Sequence, residues 1–506
     1  VQPIALIIIN LIKSMYLLGI DLGTSSIKVS VVEAMSHKVV AACQYPEVET
    51  EILSPQVGWA EQDPLVWWEN VKQAIRKVNS SGKYNPLEIS AIGVAYQMHG
   101  LVALDKTGTP LRNSIIWCDS RAVSIGDKAF ADLGEQFSLS HHLNSPGNFT
   151  ASKLAWVKQN EPEIYEKIDK IMLPGDYIAY KLTGELSTSI SALSEGVFWD
   201  FQTNTISESI KQYFGFEEAF FPEVKPVFSS HGQILPPLAS ELGFSNSVQV
   251  TYKAGDQPNN ALSLNVLEPG EVAATAGTSG VIYGVSDSLV YDDESRINTF
   301  AHVNYLPERI RTGILLCING TGILYSWAKR MFGRGLSYSD MNALALNIKP
   351  GSEGLKVLPF GNGAERILKN KTLGAQLDSI DFNRHSEAHI FRAVQEGIAF
   401  LFRYGLDIMR ENNFHPSVIK AGHANLFLSE VFQENFVGAT HVPVELYAND
   451  GSVGAALGAG IGSGFYQNSS EAFANTKKIR TVEPKNVELY ENLYQEWKEI
   501  LNKKLT

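Results

Sequence analysis

The tripeptide Gly-Thr-Ser occurs twice in this chain, as Gly23-Thr24-Ser25 and as Gly277-Thr278-Ser279, each time between two apolar, strand-like runs. A glycine admits close approach of backbone N–H groups to an anion, and two hydroxyl donors follow it, so each turn has the makings of a phosphate cradle. One cradle near the start and one just past the middle predict a duplicated α/β fold that grips a nucleotide between two lobes. The flanking sequences fix the kind of loop. Ile27-Lys28-Val29-Ser30-Val31-Val32 follows the first turn and Val281-Ile282-Tyr283-Gly284-Val285 the second, and both alternate and β-branch as strands do. A Walker A loop would open a helix and carry Gly-Lys-Ser/Thr, so that class is excluded. Taken singly, either turn is compatible with an ordinary hairpin.

A chain of 506 residues, 44% hydrophobic, exceeds what one core supports, so two large domains are expected. The net charge of -12 disfavours broad binding to nucleic acid or to acidic membranes. Lys369-Asn370-Lys371 and the pair Lys503-Lys504 are too short to alter this. Three widely spaced cysteines, Cys43, Cys118 and Cys317, in largely apolar surroundings predict reduced thiols and a cytoplasmic protein. Residues 1–14 hold the apolar run Ile4 to Ile9, which has neither a basic lead nor a cleavage site and is too short to span a bilayer. They are expected to be an extension ahead of a true start at Met15.

Asp21-Leu22-Gly23-Thr24-Ser25 with Lys28, Gly255-Asp256-Gln257, Ala276-Gly277-Thr278-Ser279-Gly280 and Gly451-Ser452-Val453-Gly454-Ala455-Ala456 follow in the order seen in the FGGY carbohydrate kinases, and the chain resembles that family from Met15 to about Phe465. The resemblance implies a two-domain, actin/hexokinase-like (ribonuclease H-like) duplicated fold with a central cleft, and an enzyme that uses ATP and Mg²⁺ to phosphorylate a sugar hydroxyl. Within the family, Gly58-Trp59-Ala60-Glu61-Gln62-Asp63-Pro64, Gln97-Met98-His99-Gly100 and Trp117-Cys118-Asp119-Ser120-Arg121 are most similar to the xylulose kinases. The partners so implied are a small sugar and ATP, with no nucleic acid and no membrane; oligomeric state is left open, a homodimer included.

Phosphoryl transfer needs an acceptor hydroxyl in line with the γ-phosphate, donors around its oxygens and a divalent cation. Asp256 follows the strand-like Val248 to Tyr252, and Pro258 begins a helical segment, so the carboxylate is expected near a helix N-terminus that holds it ionised. Local sequence also fits a plain helix cap; the match to the family's Gly-Asp motif implies the general base. The resemblance implies that Asp21 reaches the metal through water, with Thr24, Ser25 and Lys28 near the β- and γ-phosphates. Thr24 and Ser25 could instead satisfy their own turn, and Lys28 could be merely solvated.

The sugar side is expected at the end of the strand Ile92 to Tyr96, where the resemblance implies that Met98 and His99 hold the ketose together with Asp256 and Gln257. Trp59, Gln62, Asp63, Asp119 and Arg121 are weaker candidates for the same pocket. Gln257 replaces the asparagine of close xylulose kinases and resembles the Asp-Gln pair of glycerol kinases, which bears on the choice of sugar. For the nucleotide, the second turn (Gly277, Thr278), the glycine turn Asn319-Gly320-Thr321-Gly322 before a helix, and the loop Gly422-His423-Ala424-Asn425 are the candidates. Gly322, Gly422 and Asn425 are taken as cofactor-binding. Leu358 to Arg366 is a looser version of the family's Gly-Glu-Arg loop, and Glu387 to Glu411 reads as a core helix.

The division expected is 15–268 for a sugar-binding domain with the first phosphate loop and 269–506 for an ATP-binding domain, with Pro269-Gly270 as hinge and a terminal helix Pro484 to Leu505 docked through Leu489, Leu493, Trp497 and Leu501. The activity expected is phosphorylation of D-xylulose to D-xylulose 5-phosphate, with Asp256 deprotonating the terminal hydroxyl and lobe closure excluding water. The alternatives are a kinase for ribulose, glycerol or gluconate, or a non-catalytic nucleotide switch of the actin-like kind.

Overall fold

A computed structural model describes residues 15–448 and 450–505; the expected N-terminal extension, 1–14, lies outside the described residues. The chain forms two compact units. Among the described residues, the first comprises 15–265, 300–309 and 450–476, and the second the remaining stretches. A contiguous division at 268/269 therefore does not describe the chain, because two later segments return to the first unit.

The first unit is built on a five-stranded sheet of Tyr16–Leu22 (β1), Ile27–Glu33 (β2), Val39–Tyr45 (β3), Ile89–Tyr96 (β4) and Gln249–Gly255 (β5), in the order β5-β4-β1-β2-β3. β1 and β2 pair antiparallel, as do β2 and β3, whereas β4 runs parallel to both β1 and β5. Leu18, Ile20, Val29, Val31, Ile92 and Val94 are buried with Trp67, Val71 and Ile75 of the helix Pro64–Asn79. Asp63 caps that helix by accepting from the Leu65 N–H at 2.8 Å, and Pro64 opens it, so the sequence marks its start twice over.

The helix Gly451–Gly462 packs on this same sheet. A Cβ on Gly19 of β1 would lie 1.8 Å from the Ser452 carbonyl oxygen, and one on Gly93 of β4 would lie 1.9 Å from that of Ala455. A mid-strand glycine ordinarily weakens a strand; here it admits a helix backbone at contact distance. The helix is itself rich in glycine, and close packing compensates for the propensity those glycines cost.

The second unit repeats the topology. Glu271–Ala276 (β6), Gly280–Ser286 (β7), Thr312–Ile318 (β8), Val418–Gly422 (β9), Val444–Tyr447 (β10) and Lys478–Val482 (β11) lie in the order β8-β7-β6-β9-β10-β11. β6–β7 and β7–β8 are antiparallel, and β6–β9 and β9–β10 parallel. These are the order and senses of β3-β2-β1-β4-β5, with β11 added at one edge and the short strand Asn298–Ala301 at the other. Both Gly-Thr-Ser turns therefore link the first two strands of their sheet. The core of this unit gathers around the helix Glu387–Glu411, whose Phe391, Val394, Ile398, Leu401 and Phe402 are buried. The terminal helix, Val487–Leu505, buries Tyr490, Leu493, Tyr494, Trp497 and Leu501, and the Trp497 indole donates to the Val357 carbonyl at 2.8 Å. Leu489, expected on that buried stripe, is 42% exposed.

Among the described residues no cysteine forms a disulfide; Cys118 and Cys317 are exposed rather than enclosed in apolar surroundings. Among the described residues, no helix is long and apolar enough to cross a membrane.

Candidate active site

In the first unit, the parallel strands β1, β4 and β5 each end at a residue singled out by the sequence. Asp21 lies near the end of β1, opposite Lys28 on β2. Met98 and His99 follow β4, and Asp256 follows β5 at the start of the helix Asp256–Ser263. Strand ends of a parallel sheet are where open α/β folds place ligands.

The two aspartates are electrostatically strained. Asp21 and Asp256 retain some exposed surface, yet protein surrounds both densely enough that loss of hydration governs their ionisation. Burial pushes the Asp21 carboxyl up to about 6, opposed by Lys28 and reinforced by Asp450. Burial pushes Asp256 up to about 7, and the charge of Asp21 adds to the rise. Hydrogen bonds from the Gln257 N–H and side chain pull the other way, the latter at 3.3 Å. The helix N-terminus was expected to hold Asp256 ionised; desolvation and a neighbouring anion outweigh it.

The sugar-side residues converge on the same strand ends. A Cβ on Gly255, the residue before Asp256, would lie 2.6 Å from Met98 Cγ and 2.7 Å from Glu195 Oε2. Met98 is 5% exposed. His99 takes the left-handed backbone conformation, φ 62°, and its Nδ1 lies 2.9 Å from the Glu195 carbonyl oxygen. Phe149 and Phe300 pack together against its ring, with centroids at 4.9 and 5.4 Å from it. Lys153 donates to the His99 carbonyl at 2.8 Å, and burial lowers this ammonium to about 7. Glu195 is buried, and burial followed by the charge of Asp256 drives its carboxyl far above the usual range. The Tyr96 hydroxyl and the His99 N–H face it. Sequence reading missed Glu195 and Lys153; a carboxylate and an ammonium inside otherwise small or apolar runs, Ser191 to Val197 and Thr150 to Val157, were the available signal.

The weaker candidates are committed elsewhere. Asp119 is bound by Arg121 and accepts from the Ala60 N–H at 2.6 Å, and Arg121 lies 3.8 Å over the Trp59 ring and reaches Glu61 at 2.7 Å. Asp63 caps its helix. Thr24 donates its hydroxyl to Gln97 at 3.3 Å and accepts from the Trp117 indole at 3.0 Å, whereas Ser25 and Lys28 are exposed.

The second unit carries its own cavity, of about 660 Å³, lined by Gly277, Thr278, Gly322, Tyr325, Asn342 and Asn425 among others. Gly422 ends β9 and is not part of that lining. The helix Gly322–Phe332 docks directly on the second Gly-Thr-Ser turn. Gly322 N–H donates to the Gly277 carbonyl at 2.9 Å, and Ile323 N–H to that of Thr278 at 3.0 Å. Those first helix N–H groups, expected to be open to an anion, are therefore engaged by the turn. A Cβ on Gly322 would fall 2.2 Å from the Gly277 oxygen, so the contact requires glycine. From the Gly-Glu-Arg loop, Glu365 accepts from the Asn319 N–H at 3.1 and 3.2 Å, and burial raises its carboxyl to about 7.

A divalent cation fits the first unit on its own chemistry. Asp21 is a desolvated carboxylate whose unfavourable ionisation a cation would relieve, and Asp450 adds to the negative field. Among the described residues there is no group of three or more His, Cys, Asp or Glu able to enclose a metal, so such an ion would be held largely by water and phosphate oxygens.

Residues 16–263 match the N-terminal domain of the FGGY family of carbohydrate kinases. Over 495 residues the chain is 29% identical to a xylulose kinase of Staphylococcus epidermidis, covering 96% of each. It is 28% identical over 447 residues to the xylulose kinase of Escherichia coli, covering 87% of this chain and 88% of that one. A solved xyloylose kinase from Brucella ovis superposes with a TM-score of 0.86 at 25% identity, covering 96% of this chain and 99% of that one. Alongside a duplicated sheet, a Gly-Thr-Ser turn in each copy and an aspartate at the end of β5, residues 16–263 form an N-terminal domain of the FGGY family of carbohydrate kinases.

Proposed function

We propose that the protein phosphorylates D-xylulose with ATP, forming D-xylulose 5-phosphate and ADP. The observation that carries this reading is Asp256, a carboxylate raised to about 7 beside the buried Met98 and the strained His99. A general base with a pKa near the working pH combines a useful ionised fraction with a strong pull on the proton.

In this mechanism the sugar's terminal hydroxyl lies against Asp256, and Met98 and His99 hold the ketose. As the hydroxyl oxygen bonds to the γ-phosphorus, its proton passes to Asp256 and the bond from phosphorus to the ADP oxygen breaks. Ser25 and Lys28, exposed at the first turn, meet phosphate oxygens. The cavity bearing Gly277, Thr278, Gly322 and Asn425 takes the nucleotide, Tyr325 and Asn342 facing its base and ribose. Mg²⁺, when bound, neutralises charge on the phosphates; Asp21 would orient its water. Cysteines that form no disulfide suit a reducing cytoplasm.

Gln257, turned back on Asp256 at 3.3 Å, makes glycerol the control that matters most. The test is ADP release with Mg²⁺ on D-xylulose, D-ribulose, glycerol and gluconate, with Asp256→Ala as the inactive control. Highest kcat/KM on D-xylulose supports the reading; preference for glycerol overturns the sugar assignment, and no turnover on any acceptor overturns the kinase.

A further inference from the structure

Three side chains from separate parts of the first unit close a ring of hydrogen bonds. Thr24 Oγ1 donates to Gln97 Oε1 at 3.3 Å, Gln97 Nε2 to Gln62 Oε1 at 3.1 Å, and Gln62 Nε2 to the Thr24 carbonyl at 2.8 Å. Gln97 and Gln62 are 2% and 1% exposed. Left unpaired at such depth, either amide would carry a full desolvation cost.

The direction of the ring is set from outside it. The Trp67 indole, which can only donate, points its N–H at Gln62 Oε1 at 3.0 Å. That fixes the Gln62 oxygen as acceptor and turns its nitrogen to the Thr24 carbonyl, which can only accept. Gln97 must then present its own nitrogen to Gln62 and its oxygen to Thr24. The Trp117 indole donates to Thr24 Oγ1 at 3.0 Å, so the threonine hydrogen has one destination, Gln97. Reversing the Gln62 amide would set nitrogen against the Trp67 indole and oxygen against the Thr24 carbonyl, and reversing that of Gln97 would set its oxygen against the Gln62 oxygen.

The ring joins two functional segments. Thr24 lies in the first Gly-Thr-Ser turn, and Gln97 immediately precedes Met98 and His99. The main chains are also linked there, Gln97 N–H donating to the Leu22 carbonyl at 2.9 Å. We propose that Gln97 is a positioning residue which, through Thr24 and Gln62, couples the sugar-holding segment to the phosphate turn, so that occupancy of one raises affinity at the other. This rests on the sugar-kinase reading above. Movement of Met98 and His99 onto a ketose displaces Gln97 and with it the Thr24 side chain. By linkage the effect is reciprocal.

Calorimetry tests it by measuring the Kd of D-xylulose with and without saturating MgADP in the full-length protein. The wild type is expected to bind the sugar about 5-fold or more tightly with MgADP. Thr24→Val, which keeps shape and loses the hydroxyl, brings that ratio close to one; Thr24→Ser restores it. Gln97→Met, equal in length and unable to accept, acts likewise, and Thr24→Val with Gln97→Met lowers the ratio no further than either alone. Thr24 acting directly on phosphate would instead weaken MgADP equally with and without sugar and leave the ratio intact. An unchanged ratio in both single variants, or a wild-type ratio of one, overturns the coupling while leaving turnover on D-xylulose in place; absence of turnover on every acceptor overturns the underlying reading first.

Discussion

After burial, the negative charge of Asp21 is what most raises the carboxyl of Asp256, so the residue proposed to orient the metal's water also tunes the ionisation of the proposed base. kcat/KM is expected to rise with pH and to reach half its plateau near the value of about 7 that Asp256 holds. The two carboxyls titrate as a coupled pair, so the profile belongs to both. Asp21→Asn removes the repulsion, and the acid limb should move to lower pH even though the plateau falls. A pH–rate profile of the variant checks the sign, and a limb that stays or moves upward contradicts it.

The same shift has a cost in stability. The folded Asp256 binds its proton more tightly than the unfolded chain does, so between its ordinary value of 3.8 and its raised value of about 7 the unfolded state holds fewer protons. Stability contributed by this group is therefore lost as pH rises through that window. Asp256→Asn should raise the thermal midpoint of the ligand-free protein, more at pH 8 than at pH 5, while kcat falls by about 10²- to 10⁴-fold. Thermal scans at the two pH values, alongside turnover, separate the effects.

His99 has φ 62°, which asparagine tolerates better than most residues. His99→Asn keeps the backbone and removes the ring that packs on Phe149 and Phe300. KM for the sugar should rise about 10-fold, with KM for ATP little changed. Steady-state kinetics with each substrate varied in turn decides it; equal rises in both would remove His99 from the sugar pocket.

In the second unit, a methyl group on Gly322 would meet the Gly277 oxygen at 2.2 Å. Gly322→Ala must push the second Gly-Thr-Ser turn away from the helix that carries Tyr325. A displacement on the order of 1 Å should raise KM for ATP about 10-fold or more while sparing KM for the sugar, measurable by the same kinetics.

Gly93 offers a test of packing apart from chemistry. Its added methyl would stand 1.9 Å from the Ala455 carbonyl oxygen, and neither the strand nor the helix backbone can yield locally. Gly93→Ala should destabilise the first unit by about 3 kcal/mol or more, seen in denaturant unfolding of the whole protein; a loss within 0.5 kcal/mol would mean that the helix shifts freely.

What the sequence disclosed was local. Alternation and β-branching around Gly23 and Gly277 revealed two strand-turn-strand units, and the periodicity of Phe391 to Phe402 revealed the long helix, because neighbours along the chain decide these. That Asp256 and the Met98-His99 pair lie just past strand ends was legible through motif context. What stayed hidden depends on partners distant in sequence. The contact between Gly93 and Ala455 cannot be read from either segment, so residues 450–476 were assigned to the wrong half. Glu195 and Lys153 gain their character only from enclosure by the sheet ends. Helix-dipole reasoning at Asp256 gave the wrong sign because it left out burial and Asp21, neither of which the flanking residues encode.

The helix Gly451–Gly462 that closes the first sheet also dictates when that sheet can be finished during synthesis. Ser30 and Ser452, whose hydroxyls meet at 2.8 Å, are 422 residues apart. At ribosomal speeds of about 5–20 residues per second, roughly 20 to 80 s separate their emergence. Throughout that interval the glycine-lined face of β1 and β4 waits uncovered. The second unit waits as well, since β11 and the terminal helix come later still. Both units are thus completed only by segments made after residue 449, and a nascent polypeptide halted before residue 450 leaves neither one sealed.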